Sequence, residues 1–141
     1  MNLIDFEKIF AMENSSIKFG KGATLDVGYE AKRLAIKKVL ILTDKNIFEL
    51  PVVQNVIKSL ESENIDFTIY KDVKIEPTDS SFKDASKFAL SDSYDGFIAV
   101  GGGSTMDTAK AANLYSTYPA DFLDYVNAPI GKGKRIPGPL K

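Results

Sequence analysis

The residues best suited to chemistry are Gly101, Gly102, Gly103 and Ser104, followed by Asp107 and Lys110. Glycine lacks a Cβ, so a bulky anion can lie close against the peptide backbone at such a turn. Amides at the start of a helix have no intrahelical acceptor and, with the helix dipole, attract negative charge. This chemistry suits a phosphate. Ser104 is expected to be the N-cap, and Asp107 three residues later completes a capping-box-like pair. The stretch departs from the G-x-G-x-x-G fingerprint, because Met106 stands at the third glycine position. It also lacks the Gly-Lys-Ser/Thr ending of a P-loop. The plain alternative is a turn in which glycine only changes the chain direction. Asp107 either caps the helix or orients the turn beside a ligand, and Lys110 reads as a solvated surface charge rather than a catalytic group.

Other candidates are more ambiguous in isolation. Asp44 ends a strongly apolar run, where a carboxylate can accept both ribose hydroxyls of an adenosine and repel a 2′-phosphate. It can equally cap a turn through Asn46 or Ile47. Gly20-Lys21-Gly22 either approaches a pyrophosphate or makes a tight turn. The run Gly131-Lys132-Gly133-Lys134-Arg135 either guides anions or forms a solvated loop. Tyr115, Tyr118, Phe122 and Tyr125 read as packing residues rather than a stacking platform.

These residues need elements to position them. Phe97-Ile98-Ala99-Val100 reads as a buried strand, and the alanine-rich segment after Ser104 as a helix to about Tyr115. Lys38 to Thr43 is rich in branched residues and predicts another buried strand. Pro51 opens a helix with Val52, Val53, Val56, Ile57 and Leu60 on its apolar stripe. Phe67 to Tyr70 predicts a third strand, and a helix follows Pro77 from about Asp79, with Phe82, Ala85 and Ala89 inward. Upstream, Ile17-Lys18-Phe19 reads as a short strand, and Thr24 as the cap of a helix through about Ala35.

Strands alternating with helices predict an α/β fold, a Rossmann-like parallel sheet with helices on both faces. Ligands in such sheets bind beyond the carboxyl ends of the strands. Gly20–Gly22, Asp44, Pro77–Asp79 and Gly101–Ser104 are therefore expected on one rim, with the Gly96–Val100 strand central. Residues 1–16 read as an entry segment, 17–118 as the α/β domain and 119–141 as an irregular tail. Within the tail, 121–126 allows a turn or two of helix, and 127–141 holds three prolines, three glycines and four basic residues.

Composition narrows the function classes. The chain has 141 residues, a net charge of −1 and 44% hydrophobic residues, enough for one core. Near-neutral charge gives no electrostatic case for nucleic acid or an anionic membrane. No apolar run approaches the ~20 residues of a membrane span. The N-terminal residues show neither a signal-peptide core nor an Arg-rich transit pattern. With no cysteine and no histidine, thiol chemistry, a Ser-His-Asp triad and a His-based metal site are excluded within this sequence. The absence of cysteine suggests a reducing compartment, and a cytoplasmic location is expected.

The motif Gly-Gly-Gly-Ser-x-x-Asp-x-x-Lys from Gly101 to Lys110 resembles the signature of the iron-containing (group III) alcohol dehydrogenases. Thr43 to Asn46, Glu76 to Ser81, Gly101 to Leu114, Asp121 to Val126 and Ala128 to Lys134 are most similar to the hydroxyacid–oxoacid transhydrogenase branch. The resemblance runs from about Ser16 to the end of the sequence. It implies an N-terminal dinucleotide-binding domain using NAD or NADP, with NAD favoured by Asp44. Gly101, Gly102, Gly103 and Ser104 would hold the pyrophosphate, Asp44 the adenosine ribose, and Asp107 would sit beside the turn. Pro77 and Thr78, with Asp79, would line the rim. It also implies a continuation into a Thr-rich cofactor strand and a helical domain whose one Asp and three His bind iron or zinc.

No ligands for that metal are present in this sequence, so the chain alone is expected to bind a dinucleotide weakly and to be catalytically silent. A small alcohol or hydroxyacid substrate would require the helical domain. The rival expectation is a non-enzymatic remnant that folds or self-associates as a homo-oligomer. A receiver-like domain with Asp44 as phospho-acceptor is disfavoured, since no acidic pair follows the first expected strand.

Overall fold

The computed structural model describes residues 15–141. A 3₁₀ turn, Ala23–Asp26, leads into helix α1, Val27–Arg33. Strand β1 is Lys38–Leu42, followed by the single-turn helix α2, Lys45–Phe48, and by α3, Pro51–Ser62. Strand β2 is Asp66–Tyr70, α4 is Asp79–Ala89, β3 is Gly96–Ala99 and α5 is Gly103–Thr117. A last turn of helix, α6, is Phe122–Tyr125.

The three strands form one parallel sheet in the order β2-β1-β3. Ile41 sits beside Ile69 on one side and Ile98 on the other, and this register repeats along the sheet. β1 is thus the central strand. The expectation that Gly96–Val100 is central is corrected, because β3 pairs with β1 alone among the described residues. At the amino end, the Asp95 carboxylate accepts from the Lys37 and Lys38 amides at 2.9 and 3.1 Å and anchors the start of β3 against β1.

Side chains alternate across a strand, and both faces of β1 are buried. Val39 and Ile41 pack with Val53, Val56 and Leu60 of α3 and Ala31 of α1. Leu40 and Leu42 pack on the opposite face with Ala85 and Ala89 of α4 and Ala109 and Ala112 of α5. Small alanines on α4 and α5 let these helices approach closely. Pro51 occupies the first turn of α3, where its missing N–H removes no intrahelical bond.

The segment before β1 differs from its sequence reading. Ile17 and Phe19 are 88% and 99% exposed and no strand lies beside them among the described residues. Lys18 instead reaches Asp26 and Glu30, each at 2.9 Å, which holds the extended segment on the helical face. Thr24 lies inside the 3₁₀ turn, and the cap position belongs to Gly22 without a side-chain hydrogen bond. Ala35 turns out of α1 at φ 59°, ending it before the expected last residue. The Gly20–Gly22 turn follows no strand, so it is not a strand-end loop. The Leu25 carbonyl accepts from Ser59 near the end of α3, the end remote from the β1 carboxyl terminus.

The tail is fixed to the body. Tyr115 stacks on Phe122 with centroids 5.1 Å apart and touches Tyr125 at 5.5 Å, the packing role read from the sequence. The Asp124 carboxylate accepts from Lys132 at 2.7 Å and Lys134 at 2.9 Å. The Gly131–Arg135 run is an exposed loop, as one of its readings expects, and two of its cations pair with one carboxylate that is only 11% exposed. Asn113 of α5 bonds both the carbonyl and the amide of Lys141.

Candidate functional site

The connection after β1 leads to α3 on one face of the sheet, whereas the connection after β3 leads to α5 on the other. Adjacent parallel strands whose helices depart to opposite faces leave a crevice at their carboxyl ends. Asp44 lies on one side of this crevice and Gly101–Ser104 on the other. Its floor is closed by Thr43, fully buried, whose hydroxyl donates to the Val100 carbonyl at 2.9 Å. Thr43 escaped notice as a separate functional candidate. Its signal was a polar residue closing an otherwise apolar strand.

The turn is open toward solvent. A Cβ built on Gly102 or Gly103 meets no atom within 4 Å, whereas one on Gly101 would lie 2.3 Å from Thr105 Oγ1 and 2.8 Å from Thr105 Cβ. Gly101 is thus required by packing against buried Thr105, and Gly102 and Gly103 present bare backbone. Helix α5 begins at Gly103 with Gly102 as N-cap and no side-chain cap bond. The first acceptor used is the Gly102 carbonyl, which takes the Thr105 and Met106 amides at 3.1 Å. The Gly102, Gly103 and Ser104 amides have no partner among the described residues. Donors of this kind, at the positive end of a 15-residue helix, favour an anion.

Ser104 is not the N-cap. It sits one position inside the helix, and its Oγ accepts the Glu76 amide at 3.3 Å. Asp107 does not complete a capping box either. It is exposed and lies 3.8 Å from the Lys110 ammonium on the helix surface. Glycine at the cap position allows the helix to start two residues earlier than the serine predicted. The capping box occurs elsewhere: Thr78 Oγ1 accepts the Ser81 amide at 3.3 Å, and Ser81 Oγ accepts the Thr78 amide at 2.9 Å. Pro77 precedes this cap, so Pro77 and Thr78 form a stiff lead-in to α4 on the rim.

Asp44 does what its capping alternative described. Its Oδ1 accepts the Asn46 amide at 2.8 Å and the Ile47 amide at 3.0 Å. Its second oxygen has no partner among the described residues. Beside it lies a cavity of about 220 Å³ lined by Lys45, Lys71, Asp72, Val73, Lys74 and Ile75. Within this lining, Lys45 at 2.9 Å holds the Asp72 carboxyl below the ordinary carboxylate range, chiefly through their hydrogen bond. A larger cavity of about 510 Å³ lies against α4 and Tyr115, away from the glycine turn, and carries none of the predicted site residues.

Bare amides, a side-chain-free approach and a carboxylate with one spare oxygen fit a dinucleotide diphosphate and ribose. They do not fit a metal: among the described residues no group of three or more Cys, His, Asp or Glu is placed to hold one. What the crevice offers is anion binding and hydroxyl recognition.

Comparisons with known proteins identify the family. Mitochondrial hydroxyacid-oxoacid transhydrogenases of Mus musculus and Homo sapiens are each 53% identical over 133 residues, 94% of this chain. The chain spans 29% and 28% of their lengths. NADH-dependent butanol dehydrogenase A of Thermotoga maritima superposes with a TM-score of 0.82 at 30% identity, over 92% of this chain and 32% of that one. An alcohol dehydrogenase from Oenococcus oeni gives 0.72 at 31% identity, over 78% and 29%. The mitochondrial relatives overturn the cytoplasmic expectation. Absence of cysteine reports on redox environment and carries no information about which reducing compartment holds the chain. The parallel sheet, the glycine turn and the match of residues 14–140 to the iron-containing alcohol dehydrogenase profile agree, and the chain belongs to that family.

Proposed function

We propose that this chain is the NAD-binding N-terminal domain of a metal-dependent alcohol or hydroxyacid dehydrogenase, of the hydroxyacid–oxoacid transhydrogenase type. The observation that carries the reading is the set of unpartnered Gly102, Gly103 and Ser104 amides on a turn with no side chains, placed at the crevice between β1 and β3.

In this reading Gly101–Ser104 binds the pyrophosphate, with Gly101 shaping the turn. The spare oxygen of Asp44 accepts from the adenosine ribose, and its charge disfavours the 2′-phosphate of NADP. Pro77 and Thr78 wall the rim, and Asp107 sits beside the turn. Bound nicotinamide supplies the hydride acceptor or donor. The chain's own part is to hold and orient the dinucleotide. The Thermotoga relative's name supports a nicotinamide cofactor, and the mouse and human names support hydroxyacids and oxoacids as substrates. Iron or zinc and the small alcohol or hydroxyacid would be held by residues beyond this chain. We place the domain boundary near residue 118, with 1–16 as its entry and 119–141 as the lead toward the metal domain.

Titration calorimetry with NADH tests the reading. Binding with a Kd of about 0.1–1 mM and weaker binding of NADPH are expected, without turnover of hydroxyacids in the presence of iron or zinc. No heat with NADH at several millimolar overturns it. A second reading, a self-associating module, draws on the outer edge of β3, unpaired among the described residues, and on exposed Ile17 and Phe19. Sedimentation showing dimers without NADH binding would favour it.

A further inference from the structure

The Glu76 amide donates to Ser104 Oγ at 3.3 Å, joining the connection before α4 to the first turn of α5. Glu76 sits at φ 53°, in the left-handed region that glycine favours, and Pro77 follows it. A side chain at positive φ before proline is an unrelaxed arrangement that surrounding bonds must maintain. On its far side, Thr78 locks the chain into α4 through the capping box. On its near side, Val73, Lys74 and Ile75 line the cavity beside Asp44. Glu76 is thus the joint between a rigid helix start and the wall of the Asp44 cavity, and Ser104 holds that joint.

A hydroxyl can accept and donate at once. Ser104 Oγ uses its oxygen on Glu76, and its proton has no acceptor among the described residues. We propose that Ser104 is a positioning residue: its hydroxyl donates a hydrogen bond to a diphosphate oxygen on the glycine turn, which strengthens the bond from the Glu76 amide and fixes the Val73–Glu76 wall of the Asp44 cavity. The diphosphate and adenosine-ribose subsites would then be coupled through one side chain. Donation to an anion makes the hydroxyl oxygen a better acceptor, the usual cooperativity of hydrogen-bond chains. This role rests on the dinucleotide reading given above and adds to it a link between its two subsites.

Amide hydrogen exchange on the full isotope-labelled chain, with and without NADH, tests the link. In the free protein, Ser104→Ala is expected to speed exchange at Glu76 by roughly three- to tenfold, the worth of one neutral hydrogen bond, while Ser104→Thr restores protection. Saturating NADH is expected to slow Glu76 exchange in the wild type and in Ser104→Thr, and to leave it unchanged in Ser104→Ala. Glu76→Gly, which relaxes the backbone and keeps the amide, provides a second folded variant in which NADH must still protect residue 76. Unchanged Glu76 exchange in free Ser104→Ala overturns the link. So does NADH binding that shifts the Gly102 and Gly103 amides without protecting Glu76. Absence of any NADH-induced shift at Gly102 and Gly103 overturns instead the dinucleotide reading on which the link rests.

Discussion

Thr43 and Val100 are joined by a hydrogen bond of 2.9 Å from the threonine hydroxyl to the valine carbonyl, across the carboxyl ends of β1 and β3. Thr43 is wholly buried, so removing its hydroxyl strands a carbonyl in the floor of the crevice. Thr43→Val keeps the shape and is expected to cost about 1–3 kcal/mol in denaturant unfolding. Thr43→Ser, which keeps the hydroxyl but loses a methyl group, is expected to cost about 1 kcal/mol. A valine variant as stable as wild type would show that the bond contributes nothing net.

The three glycines of the turn are not equivalent. Gly101→Ala drives a methyl group into buried Thr105 and is expected to destabilise the fold by about 3 kcal/mol. Gly102→Ala has open space and ordinary backbone angles, and its unfolding free energy is expected to stay within about 1 kcal/mol of wild type. If the turn holds a diphosphate, the same Gly102 methyl group blocks it, and calorimetry should show NADH affinity reduced by about tenfold or more. Stability and affinity should therefore separate at neighbouring positions.

Helix α1 touches α3 through Gly28, whose amide donates to Ser59 Oγ at 2.9 Å. A methyl group at Gly28 would fall 2.0 Å from the Ser59 carbonyl oxygen, which is backbone and has little room to yield. Gly28→Ala is expected to cost about 3 kcal/mol, read by circular dichroism on thermal unfolding. Ser59→Ala removes one acceptor and one donor, the latter to the Leu25 carbonyl, and is expected to cost about 1–3 kcal/mol.

Acid should loosen the tail. Hydrogen bonds from Lys132 and then Lys134 hold the Asp124 pKa below the ordinary carboxylate value. A depressed folded pKa contributes stability that is complete above the unfolded value of about 4 and is lost as pH falls through the folded value. Tyrosine fluorescence, to which Tyr115 and Tyr125 contribute among six tyrosines, is expected to change over this acid range in the wild type. Asp124→Asn should remove that transition and leave the tail loosened already at neutral pH.

The order of elements was legible because the signals were local. Apolar runs at Lys38–Leu42 and Gly96–Ala99, proline before α3, and the polar break before α4 each name an element without reference to any other. The glycine turn was legible for the same reason. What escaped was whatever depends on a distant partner. Ser104 looked like a cap because serine usually caps, yet Gly102 takes that position and Ser104 bonds Glu76, 28 residues away. Ile17-Lys18-Phe19 alternates like a strand, but a strand also needs a neighbour, and none of the described residues supplies one. Likewise, nothing in Lys132 or Lys134 alone announces Asp124 as their common acceptor.

The sheet order has a consequence for how the chain acquires its shape. β1 needs a neighbour on each side, and the residues joined at its carboxyl end, Thr43 and Val100, are 57 positions apart. A ribosome must therefore deliver α3, β2 and α4 before the middle of the sheet is sealed. During that interval β1 keeps one row of peptide groups uncovered. Assembly is expected to be slow for a chain of this size and most prone to clumping just before β3 arrives.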